Sequence, residues 1–586
     1  MSLANLTSGC VSVAAPPPKT TAPPAAVSAR GPVFQATWDS DEWVRRTMVV
    51  QTAYRRVLLV SSAAAPAATI QAKRLDLNAP GRSPGGEGRP AETVPLRVDK
   101  VFPTLQSAAD FAEGGDLVAI APGTYKGFCL GDKSSAKEGR FVHFQALGAP
   151  GEVVIDEPCP DDGARWMIYL RAAHHVILEG LNLKGRETPG DTEAKGPWAG
   201  IMLDGDFGRT GKLTHHVAIT GVFSHHHAAW GLHSTDSHSV LIQDSVFGFS
   251  AREHSAYVSD GSDDYVIRRD VFIGSRSGGL QVNTDPEASL RETIKHPALA
   301  GAPPYAESRA WAEDILSRAT SLFGERGFPD GRGEHFLIED NVITGNGKGG
   351  GGSINLAAML WSRIQNNLIY DNANHGIAEW DNKNPFDAEA VAGPPETLEE
   401  ASDVRRLPLF GCHDNVIRNN TVLMANAGRA AVLIVNGSYG TRLRNNVLVN
   451  DVPVSMDVDR TSIFGLDSAC SVANEVRYRS APFNLPSLSA FPEALFGAAI
   501  SRFEEPRSTF GVTQDKIRPE FVAAGSEPWI LLDGAWWKPN PARPDFRPKR
   551  GSKLLADKGD PSDMPPRDLL GRPRTSADIG AFAQAP

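Results

Sequence analysis

Three consecutive stretches of this chain repeat one pattern. Residues 216–223 lead to 231–236, residues 238–247 to 255–260, and residues 265–272 to 279–285. Each unit reads as two short alternating strands, a turn and a third short strand. A period of about two dozen residues marks a repeat architecture, because one such unit cannot hide its own apolar face and must stack on the next. The pattern returns at 335–343, 362–369, 415–422 and 441–448, with Asn341, Asn367, Asn420 and Asn446 at one place in the repeat. Stacked in register, these side-chain amides can hydrogen-bond up a ladder, so they read as structural.

Strand side chains alternate between two faces. Aligning the third strand of each unit puts Ile168, Ile201, Leu232, Ala256, Leu280, Ile354, Ile377 and Val432 in one apolar column, which must be the interior. The next position along is then exterior: Tyr169, Met202, His233, Tyr257, Gln281, Asn355, Ala378 and Leu433. Two positions further, also exterior, come Asp204, Thr235, Ser259, Asn283 and Trp380. With coils about 4.8 Å apart, His233, Tyr257, Gln281 and Asn355 form a polar row flanked by Asp204, Ser259 and Asn283.

The remaining chain divides around this ribbon. Residues 1–35 are a Pro/Ala-rich leader or linker, and residues 36–95 are an N-terminal extension without an assigned role. The β-helix is expected over 96–475, interrupted by a helical insertion at 286–333, with a cap segment over 476–586. In the insertion, Trp311, Ile315, Ala319 and Leu322 make one apolar helical face, and Gly324 is a C-cap. The insertion either walls a groove or decorates the outside. Residues 102–112 read as a short helix with Thr104 as N-cap and Leu105, Ala108, Ala109 and Ala112 on one face. A solenoid exposes an apolar end unless something covers it, so this helix is expected to be a cap.

From residue 105 onward the sequence LQSAADFAEGGDLVAIAPGTYKGF resembles the N-terminal cap and first coil of secreted right-handed parallel β-helix proteins, the pectate lyase-like and chondroitinase B-like superfamily that includes alginate lyases. The resemblance runs over roughly 100–475 and returns in Asp545, Phe546, Gly551, the stretch 568–574 and the stretch 578–582. It implies an all-β, single-stranded right-handed parallel β-helix with an N-terminal capping helix and an irregular C-terminal segment. It also implies a secreted or surface-anchored protein acting on a polysaccharide. Cys10 sits in a loose match to a bacterial lipoprotein cleavage box, without the apolar segment that should precede it.

The bulk numbers narrow the partners. A formal charge of −10 and the absence of a basic stripe argue against nucleic acid. No apolar run is long enough to span a bilayer. A monomer is expected.

The chemistry the resemblance implies is β-elimination of a uronate, which needs a base at C5, a group that neutralises the carboxylate and an acid for the leaving oxygen. In one layout His233 is the base and Tyr257 the acid, with Arg276 as carboxylate partner and Asp204, Gln281, Asn283, Asn355 and Trp380 binding the sugar. In the other, Ca²⁺ is held by oxygen ligands from Glu253, Asp260 and Asp285, with Asp236 a further candidate and Arg252, Arg276 or Lys348 as the cation. A glycoside hydrolase would instead use paired carboxylates. Asn283, Thr284 and Asp285 resemble the first motif of β-helix polygalacturonases, although the Asp263–Asp264 pair precedes that motif instead of following it. The third reading is a carbohydrate-binding or structural body without turnover.

Eight histidines fall between His215 and His254. Neighbouring histidines on a strand are expected to point opposite ways, which leaves His227, His233 and His254 as functional candidates. No helical His-x-x-x-His supports zinc. Cys129, Cys159, Cys412 and Cys470 either form two disulfides or remain buried thiols.

Overall fold

The computed structural model describes residues 38–63, 66–78, 92–131, 139–160, 163, 165–324, 328–387, 407–424, 429–450, 456–458, 471–473, 476–477, 517–533 and 536–585. The leader, Cys10 and Cys470 lie outside them. Within them the chain winds through three long parallel sheets of thirteen, ten and eleven strands. Each coil gives one strand to each sheet, and crossovers between parallel strands of one sheet take the right-handed sense. The result is a right-handed parallel β-helix.

Its core follows from alternation. Ile168, Ile201, Leu232, Ala256, Leu280, Ile354, Ile377 and Val432 are in register across the ten-stranded sheet and wholly buried. The asparagine ladder also forms. Asn341 N and Nδ2 both donate to Asn367 Oδ1 at 3.0 Å, and Asn367 N and Nδ2 both donate to Asn420 Oδ1 at 3.0 Å. Each amide also reaches a main-chain carbonyl, as Asn367 Nδ2 does to Ile338 O at 2.9 Å. The turn polar groups are thereby satisfied inside the solenoid.

Residues 36–95 do more than extend the chain. Strand Val57–Val60 enters the thirteen-stranded sheet between Leu117–Ile120 and Lys100–Phe102. Sheet structure therefore begins well before residue 96. Helix Ser40–Thr47 lays Trp43 and Val44 over Ile177, Ala218, Leu241, Val266 and Leu337 on the outer face of that sheet. The expected cap is helix Leu105–Phe111, where the Thr104 side chain accepts from Ser107 N.

The insertion holds helices Pro286–Thr293 and Arg309–Phe323, closed by Gly324 at φ 75°. Trp311, Ile315 and Ala319 are buried as expected. Leu322 is 54% exposed, and Leu316 takes its place. This face packs on Phe207, Ala358, Phe386 and Phe410, at the corners that follow the ten-stranded sheet. The C-terminal segment lies along the outer face of the eleven-stranded sheet, with Trp529, Phe546, Leu569 and Phe582 against Phe223, Val246, Val271 and Val342. Cys129 and Cys159 are joined, with Cα atoms 5.7 Å apart, and Cys412 is a free buried thiol, so the second disulfide is not made.

Candidate functional site

The outer face of the ten-stranded sheet carries the expected row. Tyr169, Met202, His233, Tyr257, Gln281, Asn355, Ala378 and Leu433 are paired strand to strand in that order. The imidazole of His233 stacks on the ring of Tyr257, with centroids 5.1 Å apart and planes 15° apart. Asn355 Nδ2 donates to Gln281 Oε1 at 3.0 Å. In the second column, Asn283 lies beside Ser259, while Trp380 lies two coils beyond Asn283. Asp204 accepts from the Tyr169 hydroxyl.

Hydrogen bonds fix the proton positions. Ser259 Oγ donates to Ser234 O at 3.1 Å, which commits its hydrogen. The 3.3 Å contact from His233 Nε2 to Ser259 Oγ must then be an N–H donating to the hydroxyl. His233 therefore carries its proton on Nε2, and its Nδ1 lone pair is free. Burial holds the imidazole down to about 4, so this tautomer is neutral at neutral pH. Tyr257 is the opposite case. Its oxygen accepts from Asn283 Nδ2 at 3.1 Å, leaving its own hydrogen available. Burial pushes the phenol up to about 12. Asn283 is in turn oriented by Asn382, whose Nδ2 donates to Asn283 Oδ1 at 2.6 Å and to Thr284 O at 2.8 Å. Asn283 thus acts on Tyr257 as a positioning residue.

Aromatic rings gather at one end of the row. Trp230 lies 4.4 Å from His233 and 5.9 Å from Tyr257, centroid to centroid. Trp198 follows at 6.2 Å from Trp230, and Trp166 at 6.5 Å from Trp198. Trp198 is 43% exposed. Arg252 lies over Trp198 and Arg165 over Trp166. None of these tryptophans belongs to the two alternating columns. They stand in or just before the first positions of strands, where alternation carries no signal. Trp380, expected from sequence to bind the sugar, is not among the rings in contact here.

Among the described residues, His233 Nδ1 and Trp230 Nε1 are buried without a hydrogen-bond partner. Leaving a buried polar atom unpaired costs about 1–3 kcal/mol.

The far ends of the strands are acidic. Burial, and then the charges of Asp260, Asp204 and Glu292, push the Asp236 carboxyl well above the ordinary carboxylate range. Asp260 is raised to about 6, mainly by burial. Glu292 comes from the first helix of the insertion, so the insertion borders the site. Arg276 lies in the turn before strand Leu280–Asn283, close against Gly349. Burial raises the Glu253 carboxyl, and the charges of Arg252 and Arg276 offset this only in part.

Among the described residues, the groups of three or more His, Cys, Asp or Glu whose ligand atoms lie within 4.8 Å of one another comprise only His175, His215 and His216. Glu253, Asp260 and Asp285 are not such a group, although Asp285 N donates to Asp260 Oδ1 at 3.2 Å.

No protein-family model and no curated protein matches the sequence. Solved structures with similar chain paths include a pectate lyase, at 13% identity and TM-score 0.43 over 82% of this chain and 90% of that one. Another is the A-module of a mannuronan C-5 epimerase from Azotobacter vinelandii, at 16% identity and TM-score 0.38 over 64% of this chain and 83% of that one. A third is an alginate lyase from a Paenibacillus species, at 14% identity and TM-score 0.31 over 65% and 94%.

Proposed function

We propose that this face binds a uronate-containing polysaccharide and cleaves it by β-elimination. The observation that carries the reading is the stacked His233–Tyr257 pair with its opposite proton states. A turn of the His233 ring that exposes its Nδ1 lets that nitrogen take the C5 proton, the C4–O bond breaks as the C4–C5 double bond forms, and the Tyr257 hydroxyl gives its hydrogen to the leaving oxygen. Asn283 and Asn382 hold Tyr257 in place. Gln281, whose carbonyl accepts from Asn355, keeps its amide donors for the sugar carboxylate. Trp230, Trp198 and Trp166 offer stacking surfaces to neighbouring sugars, and Arg165 and Arg252 supply positive charge on that side. The Cys129–Cys159 disulfide supports export, because such bonds persist in oxidising compartments.

Glycoside hydrolysis is the second reading, favoured by the raised Asp236 and Asp260. A carboxyl raised well above the ordinary range beside a second carboxyl is the arrangement expected of a general acid and its partner.

Purified protein is to be offered a panel of uronate and neutral polysaccharides, following the ultraviolet absorbance of the unsaturated product and the reducing ends together. Both signals rising, and both lost in His233→Gln and Tyr257→Phe, is the expected result. Reducing ends without absorbance, abolished by Asp260→Asn, would transfer the reaction to the carboxylates. Silence on both, with retention on a polysaccharide matrix, would leave a binding protein and refute turnover on that panel.

A further inference from the structure

The histidines outside this face form a second constellation. His174, His215 and His238 are in register on three successive coils, at the beginnings of central strands of the thirteen-stranded sheet. Their rings stack at 4.9 Å and 5.0 Å, with planes 9° and 12° apart. Adjacent residues do not point opposite ways here, contrary to the expectation from strand alternation. His175 and His216 take left-handed φ of 55° and 52°, which swings each ring back beside the one before it. His175 stacks on His216 at 4.6 Å. Nδ1 of His174 meets Nδ1 of His175 at 3.0 Å, and Nδ1 of His215 meets Nδ1 of His216 at 2.8 Å.

We propose that His175, His215 and His216 form a binding site for a divalent transition-metal ion. Their ligand nitrogens lie within 4.8 Å of one another. Two nitrogens bound to one ion at about 2.0–2.1 Å stand about 2.9–3.3 Å apart in square or tetrahedral geometry, so the 2.8 Å pair is already near the spacing of two adjacent ligands. An all-imidazole set favours zinc, copper or nickel over calcium or magnesium. All three rings are only partly buried, which leaves an entry path and room for a water ligand.

The left-handed corner itself is a property of the coil, shared by Ser239 and Asp264. What distinguishes this site is that histidine pairs fall on two successive coils. At another corner, His225 and His226 also meet, but the ring stacked on His226 is Phe249. That corner is an internal control.

The test uses the full chain without a histidine tag. Zn²⁺ is titrated by calorimetry, and Co²⁺ is followed by its visible d–d absorption. Asparagine tolerates left-handed φ, so His175→Asn and His216→Asn preserve the corner. The expected result is one equivalent of metal, with affinity falling more than about 100-fold in either variant, beyond the 10–100-fold that loss of an outer partner costs. His226→Asn should bind as the parent does. Absence of saturable binding in the parent, or binding that survives the His175→Asn/His216→Asn double change, overturns the site. Should these variants not fold, X-ray absorption of the zinc-loaded parent decides: three imidazole nitrogens are expected, and fewer than two refute the site.

Discussion

Asp270 occupies the place of an asparagine in the polar ladder. Its Oδ1 accepts from Ser245 N at 2.7 Å, and its N donates to Asn341 Oδ1 at 2.9 Å. Among the described residues its Oδ2 has no partner, although the side chain is wholly buried. Each ladder asparagine sends Nδ2 to the carbonyl three residues before the preceding rung: Asn341 to Ile267, Asn367 to Ile338, Asn420 to Ile364. By that rule an amide at position 270 donates to Ile242 O. Asp270→Asn should therefore add a bond worth about 1 kcal/mol and remove an unpaired buried atom costing about 1–3 kcal/mol, a gain of about 2–4 kcal/mol at neutral pH. Its pH dependence has a definite sign. Burial pushes the Asp270 carboxyl well above the ordinary carboxylate range, so the folded protein retains a proton that the unfolded chain releases near pH 4. Stability of the parent then falls as pH rises from there towards the folded pKa, by at most about 1.4 kcal/mol per unit. The variant does not share that loss. Thermal unfolding of both proteins from pH 4 to pH 8 checks this. A variant no more stable than the parent at pH 7, or a difference that does not widen with rising pH, would refute the assignment of a protonated, half-satisfied rung.

Other outcomes follow from the site. Trp198→Ala should weaken polysaccharide binding about tenfold, the loss of about 1.4 kcal/mol of ring contact, with an unchanged melting temperature. Asn382→Ala releases Asn283 and so should lower kcat more than it raises KM, which steady-state kinetics will separate. With His233 held down to about 4, the acid limb of kcat/KM should lie near pH 4. The same depressed pKa takes stability away as pH falls from about 6.5 towards 4, and His233→Gln should lose that slope. Replacing both Cys129 and Cys159 by serine opens a link across 30 residues and should cost about 3–4 kcal/mol, read as a lower melting temperature.

Alternation made the β-helix legible. Leu232, Ala256 and Leu280 are interior because every second residue must be, and His233, Tyr257 and Gln281 follow outside without further information. Cap chemistry was equally local, as Thr104 and Gly324 illustrate. What sequence left open depends on partners far along the chain. Val57–Val60 has no local mark of entering a sheet between two later strands. Asn382 carries no sign that it orients Asn283. The corner histidines misled for a definite reason: alternation assumes extended backbone, and a single left-handed residue reverses which side the next ring takes. The tryptophan group escaped because its members come from strand starts and turns, where the period breaks.

The two lateral coverings alter how the molecule should come apart. Arg268, in the middle of the solenoid, donates to Ser40 Oγ, Asp41 Oδ1 and Leu77 O. Further along the same sheet, Asn366 donates to Arg567 O and accepts from Arg574. A bare stack of coils touches only its neighbours and can fray from either end. Here the segments that hold Ser40, Asp41 and Leu77, and Arg567 and Arg574, are strapped to central coils, so fraying an end gains little freedom until the straps let go. Unfolding is then expected to be closer to one cooperative event than to progressive unwinding, despite the one-dimensional architecture.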